Sequence, residues 1–382
     1  MNFKDDTAVV IFEGGCPHDP LEETFMRVRR EVVLDNIEKI KKIDGGPEIL
    51  LVTDSESLAE RAKSLGATTE WSGVPDGGTF HFGERLRDII NRNGLKRVLY
   101  MAGGSAPLIA QEDIVDILDR LVSRDDIVMM NNVQSADIVA FAPASAINRI
   151  QLPSSDNSLG YLLKELGLNR EFLPNASRMN FDLDTPTDVM VLGFCRNIGP
   201  RTKAILSTLE WREAWRRMSM AREILFRPMA EVVLAGRVGP TIVSFLNMNF
   251  KCRVRVFSEE RGMKALKRDV EGKVFSLLGY MLEEAGPRKF FEVMGSFADV
   301  VFMDTRVIFA HMKEPVDEWD RYNSDLGFWE NIKNPKVKEF TRCAVSARIP
   351  VVLGGHSLVS GGLWLLAEEL LEERGLTPLE PS

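Results

Sequence analysis

The feature that most constrains this chain is an alternation. Short apolar runs, each long enough for one strand, are separated by amphipathic stretches of helical length. Residues 8–12 (AVVIF) read as a buried strand, 24–42 as a helix, 48–53 (EILLVT) as a second strand and 55–65 as a second helix. A helix over 83–93 leads into a strand at 97–101 (RVLYM), and a helix over 111–122 into a strand at 127–130. Segments 136–141 and 181–183 complete the expected sheet. Parallel strands need crossover connections, usually helices, so this order predicts α/β construction around a largely parallel sheet.

Near Asn197-Ile198-Gly199-Pro200 the pattern changes. A helical stretch over 203–225 ends at Arg227-Pro228, because proline cannot continue a helix and restricts its predecessor. A second alternation follows, with strands at 231–235, 253–257, 299–303 and 349–353 and helices over 241–250, 274–284 and 358–374. Residues 314–334 read as a polar loop carrying Trp319, Phe328 and Trp329, suited to a lid or a domain contact. The expected organisation is an N-terminal α/β domain over 1–198, a helical linker over 199–229 and a smaller α/β domain over 230–382.

Composition bounds the function classes. A chain of 382 residues with 45% hydrophobic and 27% charged residues can bury real cores. A formal net charge of −8 argues against a protein built to bind nucleic-acid phosphates. The cysteines, Cys16, Cys195, Cys252 and Cys343, lie far apart, which excludes CxxC zinc or redox motifs and fits a reducing, cytoplasmic setting. The polar start lacks the pattern of a secretory signal, and the longest apolar runs are too short to span a bilayer.

Three strings carry candidate chemistry. Phe181-Asp182-Leu183-Asp184-Thr185-Pro186-Thr187-Asp188 places Thr185 to cap a helix that Pro186 opens, with Asp188 in its favourable first turn. Gly103-Gly104-Ser105-Ala106-Pro107 follows a strand, where ligands of open α/β sheets bind and paired glycines let backbone approach them. His81-Phe82-Gly83-Glu84-Arg85 opens a helix ahead of that strand.

Taken in order, these strings resemble the nucleotide-diphospho-sugar transferase (GT-A) superfamily over roughly residues 7–195. The resemblance is to its small members: the molybdenum-cofactor and 2-phospho-lactate guanylyltransferases and an uncharacterised glycosyltransferase-like group. FHFGERL at 80–86, GGSAPL at 103–108 and FDLDTPTD at 181–188 are the counterparts of that group's GERM-like, D-x-P and DxDTPxD strings. Segments 136–141 and 152–159 stand where the family places acceptor-side residues. The resemblance implies a nucleotide or nucleotide-sugar bound over the strand ends near Gly14, Gly15, Arg85, Gly103, Gly104 and Ser105. It also implies Mg²⁺ or Mn²⁺ held by Asp182 and Asp184, and transfer to a small phosphorylated or carboxylated acceptor. Two departures stand out. Ser105 occupies the position of the family's metal-binding aspartate, and the loop Glu13-Gly14-Gly15-Cys16-Pro17-His18 lacks the arginine and lysine that hold a triphosphate. Arg27, Arg29 and Arg30, or a carboxylate such as Asp76, are the available substitutes.

The second half is read from its residues alone. Arg255 and Arg261 around one strand end, Asp304 and Arg306 after another, and His356 and Ser357 opening the last helix form a candidate anion site. The expectation is an enzyme, a nucleotidyl- or glycosyltransferase, with a homodimer allowed for and neither nucleic acid nor membrane as partner. The alternative is a catalytically degenerate scaffold that binds a small ligand or a protein, with any chemistry in the C-terminal domain.

Overall fold

A computed structural model describes residues 3, 6–73, 80–133, 136–173, 176–264, 266–313 and 315–379. The chain divides into two compact units. The first comprises Met1–His18, Met26–Asp182 and Asn197–Ser207; the second comprises Asp19–Phe25, Leu183–Arg196 and Thr208–Ser382.

The first unit is built on β1 (Thr7–Phe12), β2 (Glu48–Thr53), β3 (Thr68–Trp71), β4 (Arg97–Ala102), β5 (Ile127–Met130), β6 (Ile138–Ala142) and β7 (Asn169–Phe172). Among the described residues these form a seven-stranded sheet in the order β3-β2-β1-β4-β6-β5-β7. All neighbours pair in parallel except β6, which runs antiparallel to both β4 and β5. The inner strands β1, β2, β4, β5 and β6 are largely apolar because both their faces are covered. Val9, Ile11, Ile49, Leu51, Leu99 and Met101 enter one core together with Val33, Leu34 and Ile37 of the helix Pro20–Lys41. The alternate residues Ala8, Val10, Leu50, Val52, Val98 and Tyr100 enter a second core with Leu86, Ile89 and Ile90 of the helix Phe82–Arg92. Each fully buried aliphatic side chain of these layers contributes about 1.5–3 kcal/mol relative to exposure.

The second unit holds β8 (Glu231–Gly236), β9 (Arg253–Ser258), β10 (Val300–Asp304) and β11 (Val351–Gly354). They form an all-parallel sheet in the order β11-β10-β8-β9. One face packs Val233, Ala235, Val301, Met303, Val351 and Leu353 against Leu278, Phe291, Met294 and Phe340.

Several expectations are corrected. The two outer strands β3 and β7 were not anticipated, because edge positions leave their TTEW and NREF sequences half exposed and without an apolar signature. Residues 181–183 do not form a strand; Asp182 makes an isolated antiparallel bridge with Ser105. The single helix over 203–225 is two, Pro200–Leu206 and Arg212–Ile224. The break falls where Ser207 donates its hydroxyl to the Ala204 carbonyl, a local bond that competes with helix continuation. The helix over 274–284 starts at Leu277, and after Gly286 a further helix, Pro287–Phe297, follows. The polar loop over 314–334 contains the helix Glu318–Leu326, capped by Asp317 and closed by Gly327 in the left-handed region. Its inward face is polar, with Asp320, Asn323, Ser324 and Asp325 buried, so an apolar period could not reveal it.

Candidate functional site

β1, β2 and β4 end level with one another: Phe12 is paired with both Val52 and Ala102. Their carboxyl ends open into a cavity of about 600 Å³, within the range of small-molecule sites. Phe12, Glu13, Gly14 and Gly15 line it from β1, Val52 and Asp54 from β2, and Tyr100 and Ala102 from β4. Arg29, Ser72, Gly73, Phe80, Phe82 and the Ser154–Asp156 turn complete the wall.

Three carboxylates shape this cavity, and each holds a donor of the wall. The Gly15 N–H donates to both oxygens of Asp54, at 3.1 and 2.9 Å. Gly15 has a φ of +125°, open to glycine and strained for any other residue, so this clamp explains the residue choice. Glu13, only 2% exposed, accepts at Oε2 from the Arg29 guanidinium at 2.9 Å. Its Oε1 is shut off from water and has no hydrogen-bond partner. Asp156 accepts from the Tyr100 hydroxyl at 2.8 Å. Burial first, and then the Asp156 charge, pushes the Tyr100 phenol well above its ordinary value, so it stays a donor. Phe12, Phe82 and Tyr100 meet edge to face with centroids 4.9–5.6 Å apart, forming a rigid aromatic wall.

Of the nucleotide-binding residues expected from sequence, Gly14 and Gly15 line the cavity. Gly103, Gly104 and Ser105 are buried in the turn after β4 and lie outside the lining. Gly103 has a different use: a Cβ there would sit 2.0 Å from Glu13 Oε2, so its glycine makes room for that carboxylate. Ser105 donates its hydroxyl to the Ala102 carbonyl at 2.6 Å. Arg85 donates to the Trp71 carbonyl and faces Glu70 at 3.6 Å, also outside the lining. Asp76 lies outside the described residues. Glu13, Asp54, Tyr100 and Asp156 escaped sequence reasoning. The signal available was position, since each stands at or just beyond a strand end or in a turn beside one.

The closing motif behaves as a cap. Thr185 precedes the helix Pro186–Gly193, and Asp188 Oδ2 accepts from the Thr185 N–H and hydroxyl, both at 2.8 Å. Asp182 is half-buried in the first unit, whereas Asp184 is exposed and belongs to the second. Among the described residues no group of three His, Cys, Asp or Glu side chains could hold a metal ion. Ser105 is committed to a carbonyl and Asp188 to the cap.

In the second unit the strand ends are strongly charged. Asp304, at the end of β10, accepts from Arg237 Nε at 2.5 Å and Nη2 at 3.1 Å. Burial opposes the Asp304 charge, but Arg237 outweighs it and holds the carboxyl below its ordinary value. Desolvation and the neighbouring Arg237 lower His356. Two of the remaining anion-site candidates are committed elsewhere. Arg306 forms a bidentate pair with Asp325, both bonds 2.7 Å. Arg255 is exposed on β9 and bonds Glu231 at 2.9 Å. The Ser357 hydroxyl is buried beside Asp188. Arg261 is exposed. Arg237, the first residue after β8, was missed although it follows a strand end.

No family model matches the chain, and no curated protein matches it. Solved structures do resemble its N-terminal half. A provisionally assigned nucleotide-diphospho-sugar transferase from Desulfovibrio desulfuricans is 17% identical, with a TM-score of 0.39, covering 55% of this chain and 98% of its own. A cytidylyltransferase from Leptospira borgpetersenii is 13% identical, with a TM-score of 0.38, over 56% of this chain and 97% of its own. A 4-diphosphocytidyl-2C-methyl-D-erythritol synthase from Anaerococcus prevotii is 14% identical, with a TM-score of 0.35, over 48% and 92%. Identities this low concern the fold alone. Among the described residues, no helix is long and apolar enough to cross a membrane.

Proposed function

We propose that the first unit binds a nucleotide or nucleotide-sugar by its nucleoside or sugar end, in the cavity at the ends of β1, β2 and β4, as a nucleotidyl- or glycosyltransferase. The observation that carries this reading is the cavity's donor and acceptor balance. The Gly15 N–H, Arg29 and Tyr100 are spent on Asp54, Glu13 and Asp156, so the wall's donors are already engaged by its carboxylates. Such a wall suits hydroxyls and exocyclic amines lying against aromatic rings, and it repels phosphate oxygens. The phosphates of the ligand therefore point out of the cavity, towards a small phosphorylated or carboxylated acceptor. Magnesium or manganese enters only as the counter-ion of those phosphates, and no chemical step here rests on it.

A second reading is a ligand-binding scaffold without transfer chemistry. It is favoured by Ser105, whose hydroxyl is already bonded to the Ala102 carbonyl at the position where the resembled family has an aspartate.

The test is calorimetric titration with nucleosides, nucleoside triphosphates and nucleotide-sugars, each with and without Mn²⁺. One nucleoside and its triphosphate should bind within about tenfold of each other. Asp156→Asn and Glu13→Gln should each weaken that ligand 10- to 100-fold, the worth of a charge-assisted hydrogen bond of about 1.5–3 kcal/mol. Binding of triphosphates only, insensitive to both substitutions, would sink the proposal. Release of pyrophosphate or nucleoside diphosphate on addition of acceptors separates the transferase from the scaffold.

A further inference from the structure

We infer that the second unit holds a phosphate group, free or as a phosphate monoester, over the carboxyl ends of its parallel sheet, between Arg237, Arg261 and His356. The inference does not rest on the nucleotide reading of the first unit.

Topology selects the place. In the order β11-β10-β8-β9, β8 has β9 on one side and β10, then β11, on the other. The direction in which strands are added therefore reverses between β8 and β10, and ligands of open parallel sheets bind beyond the strand ends at such a reversal. The register sets Gly354 beside Asp304 at the ends of β11 and β10, and Gly236 beside Ser258 at the ends of β8 and β9. Gly236 has a φ of +111°, and a Cβ there would sit 2.5 Å from that of Asp304. Only glycine lets β8 turn off so close to that carboxylate. The turn carries Arg237 and leads at Gly239, which has no side chain to cap with, into the helix Pro240–Asn249.

The charges at these strand ends lack an anion. Asp304, fully buried, is saturated by Arg237 Nε at 2.5 Å and Nη2 at 3.1 Å, and by the backbone N–H groups of Arg237 at 3.3 Å and Arg306 at 3.1 Å. That pairing leaves Arg237 Nη1 without a hydrogen bond among the described residues. Arg261, three residues beyond the end of β9, is exposed and has no ion pair among the described residues. Its acidic neighbours are taken: Glu260 holds Arg268 through both oxygens at 2.8 Å, and Glu259 accepts from the Ser276 hydroxyl at 2.5 Å and the Leu277 N–H at 2.7 Å. His356, in the turn after β11, feels Arg237, Arg261 and Asp304 together. Desolvation and then the Arg237 charge, with Arg261 adding to them, outweigh Asp304 and the Arg237 backbone and lower the ring from its ordinary value.

Two guanidiniums and an imidazole thus share one carboxylate that is already spent, and an oxyanion among them relieves the crowding. The three donors come from the ends of β8, β9 and β11, three directions that suit the tetrahedral oxygens of phosphate. A flat carboxylate is best served by one guanidinium fork, and the Arg237 fork is filled by Asp304.

Calorimetric titration of the full chain with inorganic phosphate and with glucose 1-phosphate tests this. At least one should bind, and Arg261→Gln and His356→Gln should each weaken it about tenfold. Circular dichroism and melting temperature should not change, because both side chains are exposed. The bound anion should also raise the titration midpoint of the His356 ring protons, one set among four histidines, read by proton NMR and assigned by their loss in His356→Gln. Equal affinity for the two probes makes free phosphate the occupant, and tighter binding of the sugar phosphate makes it a monoester. Nucleoside binding by the first unit should be the same in both variants, which keeps this result distinct from the fate of the nucleotide reading. No binding of either probe up to about 10 mM overturns the inference. So does binding that both substitutions leave intact, or acetate displacing phosphate at equal concentration.

Discussion

Arg306→Met should cost the second unit about 3–5 kcal/mol of stability, because it strands a carboxylate in the interior. Asp325 is 1% exposed, and both its oxygens accept from the Arg306 guanidinium at 2.7 Å. Burial works against the guanidinium's charge, yet the facing Asp325 carboxylate outweighs it and holds Arg306 above its ordinary value. Removing the cation leaves Asp325 either charged without a counter-ion or protonated against its intrinsic preference, and both are costly. Urea unfolding reads the loss as a lower midpoint at unchanged slope. The double substitution Arg306→Met with Asp325→Leu should recover most of it, since an apolar pair of similar volume carries no desolvation penalty. If the double variant is as unstable as the single one, the loss comes from packing around Arg306 and not from the orphaned charge.

The second large effect depends on pH. Asp188 is completely buried, and burial, helped by the neighbouring Asp184 charge, pushes its carboxyl up to about 7. The unfolded chain titrates this group near 3.9, so between about pH 4 and pH 7 the native state holds a proton that the unfolded state has released. Stability from this residue is therefore fully present below pH 4, falls as the pH rises, and is gone above about 7. Three pH units correspond to about 4 kcal/mol at 1.36 kcal/mol each. Asp188→Asn keeps an oxygen for the Thr185 N–H and removes the titration. The variant should match or trail the parent at pH 5 and exceed it at pH 8. Melting temperatures across that range give the answer, and parallel curves for the two proteins would show that Asp188 does not titrate there.

The same residue shows how far a sequence can be read. That Thr185 caps a helix opened by Pro186, with Asp188 in its first turn, was legible because capping is local chemistry. That Asp188 is fully buried, its second oxygen facing the Ser357 hydroxyl, was not, because Ser357 lies in a distant segment. The cavity divides in the same way. Gly14 and Gly15 were visible as a glycine pair beyond a strand. Glu13, Asp54 and Asp156 are ordinary acids until the parallel register of β1, β2 and β4 sets their strand ends side by side. In the second unit, Asp304 and Arg306 looked like one polar turn, yet they face different partners, Arg237 and Asp325.

By itself the sequence determined the α/β class, the strands with two buried faces and the helix caps. Each is written in contiguous residues, as a run, a period or a capping pair. Only the tertiary structure decided the antiparallel turn of β6, the polar-faced helix Glu318–Leu326, and which carboxylate meets which arginine. Those outcomes depend on the pairing of groups far apart in the chain, where an ion pair or an orphaned oxygen exists only once the fold has removed the water between them.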